Sequence, residues 1–341
     1  MRGKLFGKKT QWTIATLFLV EIFSFAAYFW DFPDLAFLVI LTGVLWATLY
    51  KLEYGLIIVL VELMIGSMGY LFYFDLGGSE ISIRMGIWLT VLTVWAVKEI
   101  RTIFINRWNG EKLKDQGKRL LYFIKGNYIS YFVVLFIFFG WGVINGLLNG
   151  NEFNNLFLDF NGYTYFALIF PAYRVISSYE VLRTENEYGI PPFLFPFLQI
   201  FTGALTWVTF KSLALLFLFS HDLHSVMSVV YEWIRETGVG EITEMSEGIY
   251  RIFFQSHIFL IIGLFFLLFF FYRHIFSQKM GLSDLVKQQK WLLAGYFLLL
   301  SSVLAVLIIS FSRSFWVGGL VGVMLWSFLL WKKFGTKRTS I

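Results

Sequence analysis

The stretch from Phe253 to Tyr272, FFQSHIFLIIGLFFLLFFFY, decides the fold class of this chain. It carries no acidic or basic side chain other than the imidazole of His257. A helix of about 20 residues, rising about 1.5 Å per residue, covers the roughly 30 Å hydrocarbon core of a bilayer. We therefore predict that this stretch is a membrane-spanning helix.

The composition of the whole chain agrees with this prediction. Of its 341 residues, 58% are hydrophobic and 15% are charged, whereas soluble domains are about 45–50% apolar and about 25% charged. The chain has no Cys, which excludes disulfides, thiolate metal sites and Cys nucleophiles. Only 4 His are present. We therefore predict neither a metal site nor a cofactor.

Nine further apolar stretches are long enough to be considered as spans. They are 11–30, 35–50, 55–74, 82–97, 127–148, 161–177, 193–219, 291–310 and 314–331. Together with 253–272 they predict an all-α, polytopic integral membrane helix bundle of about ten transmembrane helices. We expect residues 1–341 to form a single transmembrane domain.

The distribution of Lys and Arg predicts the orientation of the helices. If the N-terminus is cytoplasmic, the inside segments hold 23 of the 28 basic residues, and 12 of the 22 acids fall on the outside segments. The inside segments are 1–10, 51–54, 98–126, 173–192, 273–290 and 332–341. This asymmetry follows the positive-inside rule, so both termini are predicted to be cytoplasmic in a multi-pass protein of the inner (plasma) membrane. The basic loop 98–126 then faces anionic membrane lipids, and the net charge of +6 requires no nucleic-acid partner.

One external segment, 220–252, is long, polar and acidic. Its first part, His221–Arg235, has apolar residues at the spacing of an amphipathic helix, namely Leu223, Val226, Val229, Val230 and Trp233. We predict a helix that lies on the membrane surface.

Three ionisable residues fall inside the predicted spans: Glu21, Glu62 and Lys211. A charge at this depth costs at least about 2.5–3.5 kcal/mol, so each of them requires a role. One interpretation is a buried Glu62–Lys211 ion pair, or a Lys211 side chain that reaches the outer headgroups. The other is a proton or ion path, as in a transporter.

Three arginines, Arg84, Arg251 and Arg313, fall at or near the outer ends of predicted helices. Arginine suits phosphate because its planar guanidinium binds two oxygens at once. Around Arg313, in FSRSFW (311–316), Ser312 and Ser314 can cap the next helix, whose N-terminus also favours an anion. The alternative is that these arginines extend into the lipid interface. A convergent cluster would suit a diphosphate carried on a lipid.

Four stretches resemble the O-antigen ligase and O-antigen polymerase superfamily. LIISFSRSFWVGGL (307–320) resembles the Ser-Arg helix of that family. The other three, all similar to entries into family helices or their external loop, are GLLNGN (146–151) with DFNGY (159–163), GIYRIF (248–253) and GSEISIR (78–84). In order and spacing the resemblance covers most of 35–331.

The resemblance implies a membrane glycosyltransferase of lipopolysaccharide biosynthesis in the cell envelope. Its donor would be an undecaprenyl-diphosphate-linked glycan, and its acceptor a lipid A-core sugar, a glycan chain or a protein. By this resemblance Arg313 and Arg251 would hold the leaving diphosphate. We expect Arg84, Ser312, Ser314 and Trp316 to contribute to substrate binding. The sequence has no P-loop, dinucleotide loop or Asp-x-Asp motif, as expected for an enzyme that uses no nucleotide sugar.

The acceptor hydroxyl needs a base, and Asp159, His221 and His224 are the external candidates. Histidine suits proton transfer near neutral pH, although the two histidines with Asp222 would also simply cap a helix end. Family members continue beyond the Ser-Arg helix into a larger external loop and further helices, so we expect this chain to be shortened at its C-terminus. Two alternatives to a transferase therefore stay open: a flippase for lipid-linked glycans, and an inactive truncated subunit.

Overall fold

The computed structural model describes residues 5–75, 80–108, 129–180, 194–221, 223–277 and 282–338, for some helical residues by the backbone alone. The described chain is mainly helical, as predicted. Five of its helices are long and apolar enough to cross a membrane: Lys8–Phe29, Pro33–Tyr50, Ser130–Leu148, Leu194–Ser220 and Gln255–Tyr272. Two shorter apolar helices cover Leu293–Ile309 and Arg313–Leu329. Ten spans and two cytoplasmic termini stay predictions.

The helices are numbered in chain order. They are α1 (Lys8–Phe29), α2 (Pro33–Tyr50), α3 (Leu52–Ile65), α4 (Ile83–Trp108), α5 (Ile129–Leu148), α6 (Phe153–Thr164), α7 (Ile169–Glu180), α8 (Leu194–Ser220), α9 (His224–Glu236), α10 (Ile258–Ser277), α11 (Leu282–Ile309) and α12 (Arg313–Arg338). Two short 3₁₀ helices, Tyr165–Leu168 and Gln255–His257, precede α7 and α10.

The predicted span 55–74 is wrong over its second half. The helix α3 ends at Ile65, and the backbone then takes left-handed conformations at Ser67 (φ 48°) and Gly69 (φ 97°). Such angles are incompatible with a continuing right-handed helix. The loop stays buried, with Leu71 and Phe72 almost inaccessible, so its apolar composition reflects burial in protein rather than a spanning helix.

Two antiparallel hairpins interrupt the helices, and neither was predicted. The first pairs β1 (Tyr73–Asp75) with β2 (Glu80–Ser82), and the second pairs β3 (Glu241–Ser246) with β4 (Ile249–Phe253). In the second hairpin Ile242 lies directly opposite Ile252, and both are buried. The hairpin therefore has one apolar side that packs into the protein.

The chain divides into two compact units, and the first comprises 1–38, 60–84 and 184–341. Within it α1 packs closely on α8. The Thr10 hydroxyl lies 3.1 Å from the carbonyl oxygen of Gln199. A Cβ on Gly203 would lie 2.8 Å from the carbonyl oxygen of Thr10, so only glycine permits this approach.

The predicted amphipathic helix is present as α9, which begins at His224 and ends at Glu236 rather than covering His221–Arg235. Its position on the membrane surface stays a prediction. Its Trp233 is buried and donates a hydrogen bond from Nε1 to Ser24 Oγ of α1. The Ser24 hydroxyl donates in turn to the carbonyl of Leu71 at 2.6 Å. One polar side chain thus joins α1 to α9 and to the loop after α3.

The second unit comprises 39–59 and 85–183. Lys98 of α4 donates hydrogen bonds from Nζ to the carbonyl oxygens of Thr48 (3.0 Å) and Leu49 (3.1 Å), at the C-terminal end of α2. Trp95 of α4 stacks on Phe170 of α7, with ring centroids 5.7 Å apart. The C-terminal halves of α2 and α4 and the helix α7 therefore belong to one packed cluster.

Candidate functional site

Strand β4 meets the start of α12 through Arg251, within the first unit. Arg251 Nε donates a hydrogen bond to the carbonyl oxygen of Ser310 at 3.0 Å. Its guanidinium carbon lies 4.7 Å from the ring centroid of Phe253, which stacks on Phe315 of α12. Two contacts, one polar and one aromatic, therefore join the segment of Arg251 to the segment of Arg313.

The turn before α12 is tight and partly strained. Ser310 is fully buried, and Phe311 adopts a left-handed conformation with φ 46°. The main-chain N–H groups of Phe315 and Trp316 both donate to the carbonyl of Ser312, which begins the helix. A non-glycine residue in this region is uncommon and often accompanies function.

Ser312 and Ser314 do not cap the helix with their hydroxyls as predicted. The two Oγ atoms lie 3.1 Å apart and bond each other. The two serines flank Arg313 in the chain, at the N-terminal end of α12.

Arg313 is the first residue of α12 and is exposed. Among the residues that the structure describes, its side chain makes no ion pair and no hydrogen bond. Trp316, one turn on, donates from Nε1 to the carbonyl of Leu307 at 2.8 Å and is 43% exposed. The helix N-terminus thus presents an unpaired guanidinium beside a fixed indole ring, and its dipole adds to the attraction for an anion.

Arg84 has a different environment. Its Nε bonds Glu62 Oε2 at 2.8 Å, and the side chains are 17% and 7% exposed. Buried Arg84 Nη2 and Glu62 Oε1 have no partner among the described residues. In the loop that follows α3, Ser67 Oγ accepts a hydrogen bond from the main-chain N–H of Gln255, two residues after the end of β4. This bond joins the loop after α3, which lies beside Arg84, to the segment that follows β4. The guanidinium of Arg84 is, however, already bound by Glu62.

Lys211 pairs with Glu21, so the interpretation of a Glu62–Lys211 pair is wrong. Lys211 Nζ lies 2.6 Å from Glu21 Oε1, and both side chains are buried. The ammonium also lies 4.9 Å from the ring centroid of Phe254. The close packing of α1 on α8 brings these two charges together, which a sequence alone does not reveal. Lys211 does not reach outward to the headgroups either.

The candidate bases are described to different extents. The ring of His221 lies against Phe217, with centroids 4.1 Å apart, and its Nδ1 lies 2.9 Å from the Phe217 carbonyl oxygen. The carbonyl can only accept, so Nδ1 carries the proton. His224 is the first residue of α9, and Asp159 belongs to α6 in the second unit. The side chains of these two, and Asp222 altogether, lie outside the described residues.

His257 is a polar residue that the sequence did not single out. It is fully buried, and its Nε2 lies 3.0 Å from Ser212 Oγ. Ser212 in turn donates to the carbonyl of Val208. Because Ser212 follows Lys211, the imidazole and the Glu21–Lys211 pair form one buried polar cluster. The sequence contained one signal for this cluster: Lys211 and Ser212 are adjacent polar residues in an otherwise apolar helix.

In the described part of the chain, no three His, Asp or Glu side chains lie close enough to hold a metal ion. Comparisons with protein-family models, with curated proteins and with solved structures found no match to this chain.

Proposed function

We propose that this protein is a membrane glycosyltransferase of the O-antigen ligase type. It would move a glycan from undecaprenyl diphosphate to a lipid, glycan or protein acceptor at the outer face of the inner membrane. One observation carries the proposal: the hydrogen bond from Arg251 to Ser310 sets β4 against the turn that holds Arg313. Two arginines that are distant in sequence thereby lie on adjoining segments.

The chemistry requires stabilisation of a leaving group. The acceptor oxygen forms a bond to the anomeric carbon of the glycan while the bond from that carbon to the diphosphate breaks. Negative charge builds on the departing diphosphate, so guanidinium contacts there strengthen in the transition state. Arg313 is suited to this role, because it is exposed and has no protein partner among the described residues.

The acceptor hydroxyl must lose its proton, and His221 is the candidate base that the structure describes. The Phe217 carbonyl holds the proton on Nδ1, so in the neutral ring Nε2 carries the free lone pair. Phe219, two residues earlier, packs against Tyr250, the neighbour of Arg251, with ring centroids 5.6 Å apart. This contact sets the C-terminal end of α8 beside β4, and His221 follows that end directly in the chain.

A groove of about 370 Å³ in the same unit supports a lipid-linked donor. It runs between α1, α8 and α9, and aromatic rings make up much of its wall, including Phe18, Phe25 and Trp207. Lys211 also lines it and contacts Phe254, three residues after Arg251. A polyprenyl chain in the groove would therefore lead towards the arginine segment.

The test is glycan transfer in proteoliposomes from a purified undecaprenyl-diphosphate glycan to its acceptor. We expect Arg313→Gln to abolish transfer. Arg235→Gln is the matched control, because Arg235 is also an exposed external arginine but lies at the end of α9. Unchanged transfer in Arg313→Gln would reject the proposal.

The same vesicles separate the alternatives. Movement of the glycolipid across the bilayer without a new glycosidic bond would identify a flippase. Neither movement nor transfer from the purified chain, with transfer restored by a second gene product, would identify an incomplete subunit.

A further inference from the structure

A second pocket, of about 550 Å³, lies within the unit formed by 39–59 and 85–183, and none of the residues proposed for glycan transfer lines it. Its volume is in the range of small-molecule sites, about 300–1,000 Å³. Four cationic side chains line it (Lys51, Lys98, Arg101 and Arg174) against two acidic ones (Glu53 and Glu99). The pocket therefore has an excess of positive charge.

Two of these cations are held in place by the protein. Lys98 Nζ donates to the carbonyl oxygens of Thr48 and Leu49, which leaves one of its three protons for another acceptor. Arg174 contacts Glu99 Oε1 through Nε at 3.2 Å. Its two Nη groups, the edge that commonly binds phosphate oxygens in pairs, have no partner among the described residues.

The other two cations are exposed and available. Neither the Lys51 ammonium nor the Arg101 guanidinium forms an ion pair or a hydrogen bond in the described part of the chain. Lys51 lies 5.7 Å from the ring centroid of Tyr54, a weak cation–π contact. Four positive groups, two fixed and two free, thus surround one opening.

Apart from the hydroxyls of Thr102 and Ser178, the rest of the wall is apolar, formed by Leu52, Trp95, Ile105 and Val175. The Trp95 ring is held by its stack on Phe170. A free inorganic anion would make no use of such a wall, whereas a phospholipid has a charged headgroup joined directly to an apolar body. Next in the chain to pocket residues, Ile103 and Ile176 are about half exposed and add apolar surface in the same two helices.

We propose that this pocket binds the phosphate group of an anionic phospholipid. Its cations belong to 51–54, 98–126 and 173–192, the segments that the charge asymmetry assigns to the cytoplasmic face. Anionic lipids are enriched in that leaflet, and basic pockets between helices bind their headgroups. This inference does not depend on the proposed glycan transfer.

The first test uses the full-length protein in detergent, titrated with phosphatidylglycerol and followed by native mass spectrometry. We expect bound phosphatidylglycerol at concentrations where phosphatidylcholine does not bind. Equal retention of the two lipids would overturn the proposal. Displacement of phosphatidylglycerol by an equal concentration of inorganic phosphate would overturn the choice of a lipid.

The second test removes the two free cations in Lys51→Gln/Arg101→Gln. Lys8→Gln/Lys9→Gln is the matched control, because both lysines are exposed, lie in the predicted cytoplasmic segment 1–10 and line no part of this pocket. Each basic residue near a lipid surface contributes about one kcal/mol, so the pocket variant should bind phosphatidylglycerol about tenfold or more weakly. A control variant that loses as much affinity as the pocket variant would contradict a specific site. Binding by either variant is compared only where its melting temperature matches that of the wild type.

Discussion

Arg251 donates a hydrogen bond to the carbonyl oxygen of Ser310, 59 positions later in the chain, at 3.0 Å. The acceptor is buried and lies three residues before Arg313. This bond connects the second hairpin to the turn before α12, and it brings segments from separate regions of the chain together. The arrangement depends on a strand that the sequence did not predict.

The buried Glu21–Lys211 pair gives a prediction about stability. Lys211→Met leaves an unpaired carboxylate in a buried environment, so we expect the free energy of unfolding to fall by about 3–5 kcal/mol. The double variant Glu21→Met/Lys211→Met removes both charges and should recover most of that loss. Denaturant unfolding in detergent micelles measures both. Equal destabilisation of the single and double variants would show that the pair is not the cause.

The contact between α1 and α8 gives a second prediction. Gly203→Ala places a methyl group 2.8 Å from the Thr10 carbonyl oxygen, so the helices must separate and the melting temperature should fall. Gly142→Ala is the control, because nothing lies within 4 Å of the added methyl group and alanine is the better helix former. A Gly203→Ala variant as stable as Gly142→Ala would refute the close approach.

The environment of Arg84 gives a third prediction, which separates a structural role from substrate binding. Arg84→Gln should destabilise the protein, because it leaves Glu62 buried and unpaired. We expect Arg84→Gln/Glu62→Gln to regain stability and to keep wild-type glycan transfer. Loss of glycan transfer in a double variant that folds stably would instead indicate that Arg84 binds the donor.

The geometry of His221 gives a fourth prediction. Asparagine can still donate a hydrogen bond to the Phe217 carbonyl but has no basic nitrogen at the position of Nε2. His221→Asn should therefore lower the rate of transfer by about a hundredfold or more, as expected for loss of a general base. Its melting temperature should stay that of the wild type. Full activity of this variant would show that His221 is not the base and only caps the C-terminal end of α8.

Apolar runs were sufficient to predict the location of most helices but not their interactions, and the orientation drawn from the charge asymmetry stays a prediction. Each of the ten predicted stretches coincides at least in part with a helix, because hydropathy determines which segments can be buried in lipid or protein. Hydropathy does not distinguish burial in lipid from burial in protein. The predicted span 55–74 therefore extended past Ile65, where the helix ends and the chain turns in a buried loop.

The site was less predictable, for two physical reasons. The hairpin β3–β4 has only one clear apolar pair, Ile242 with Ile252, which gives little periodicity to recognise. Ion pairs depend on which helices are neighbours, so Lys211 could be assigned to Glu62 or Glu21 with equal reason. The sequence placed Arg313 in the turn before a span predicted to begin at 314, and the structure begins that helix one residue earlier, at Arg313.

The central claim is that Arg313 and Arg251 bind one diphosphate, and binding of undecaprenyl diphosphate to the purified protein tests it most directly. We expect Arg313→Gln and Arg251→Gln each to weaken this binding by about tenfold or more, the value of a lost charge-assisted hydrogen bond. Undecaprenyl monophosphate should bind less tightly than the diphosphate, and Arg235→Gln should bind as the wild type does. Wild-type affinity for the diphosphate in both folded arginine variants would contradict the claim.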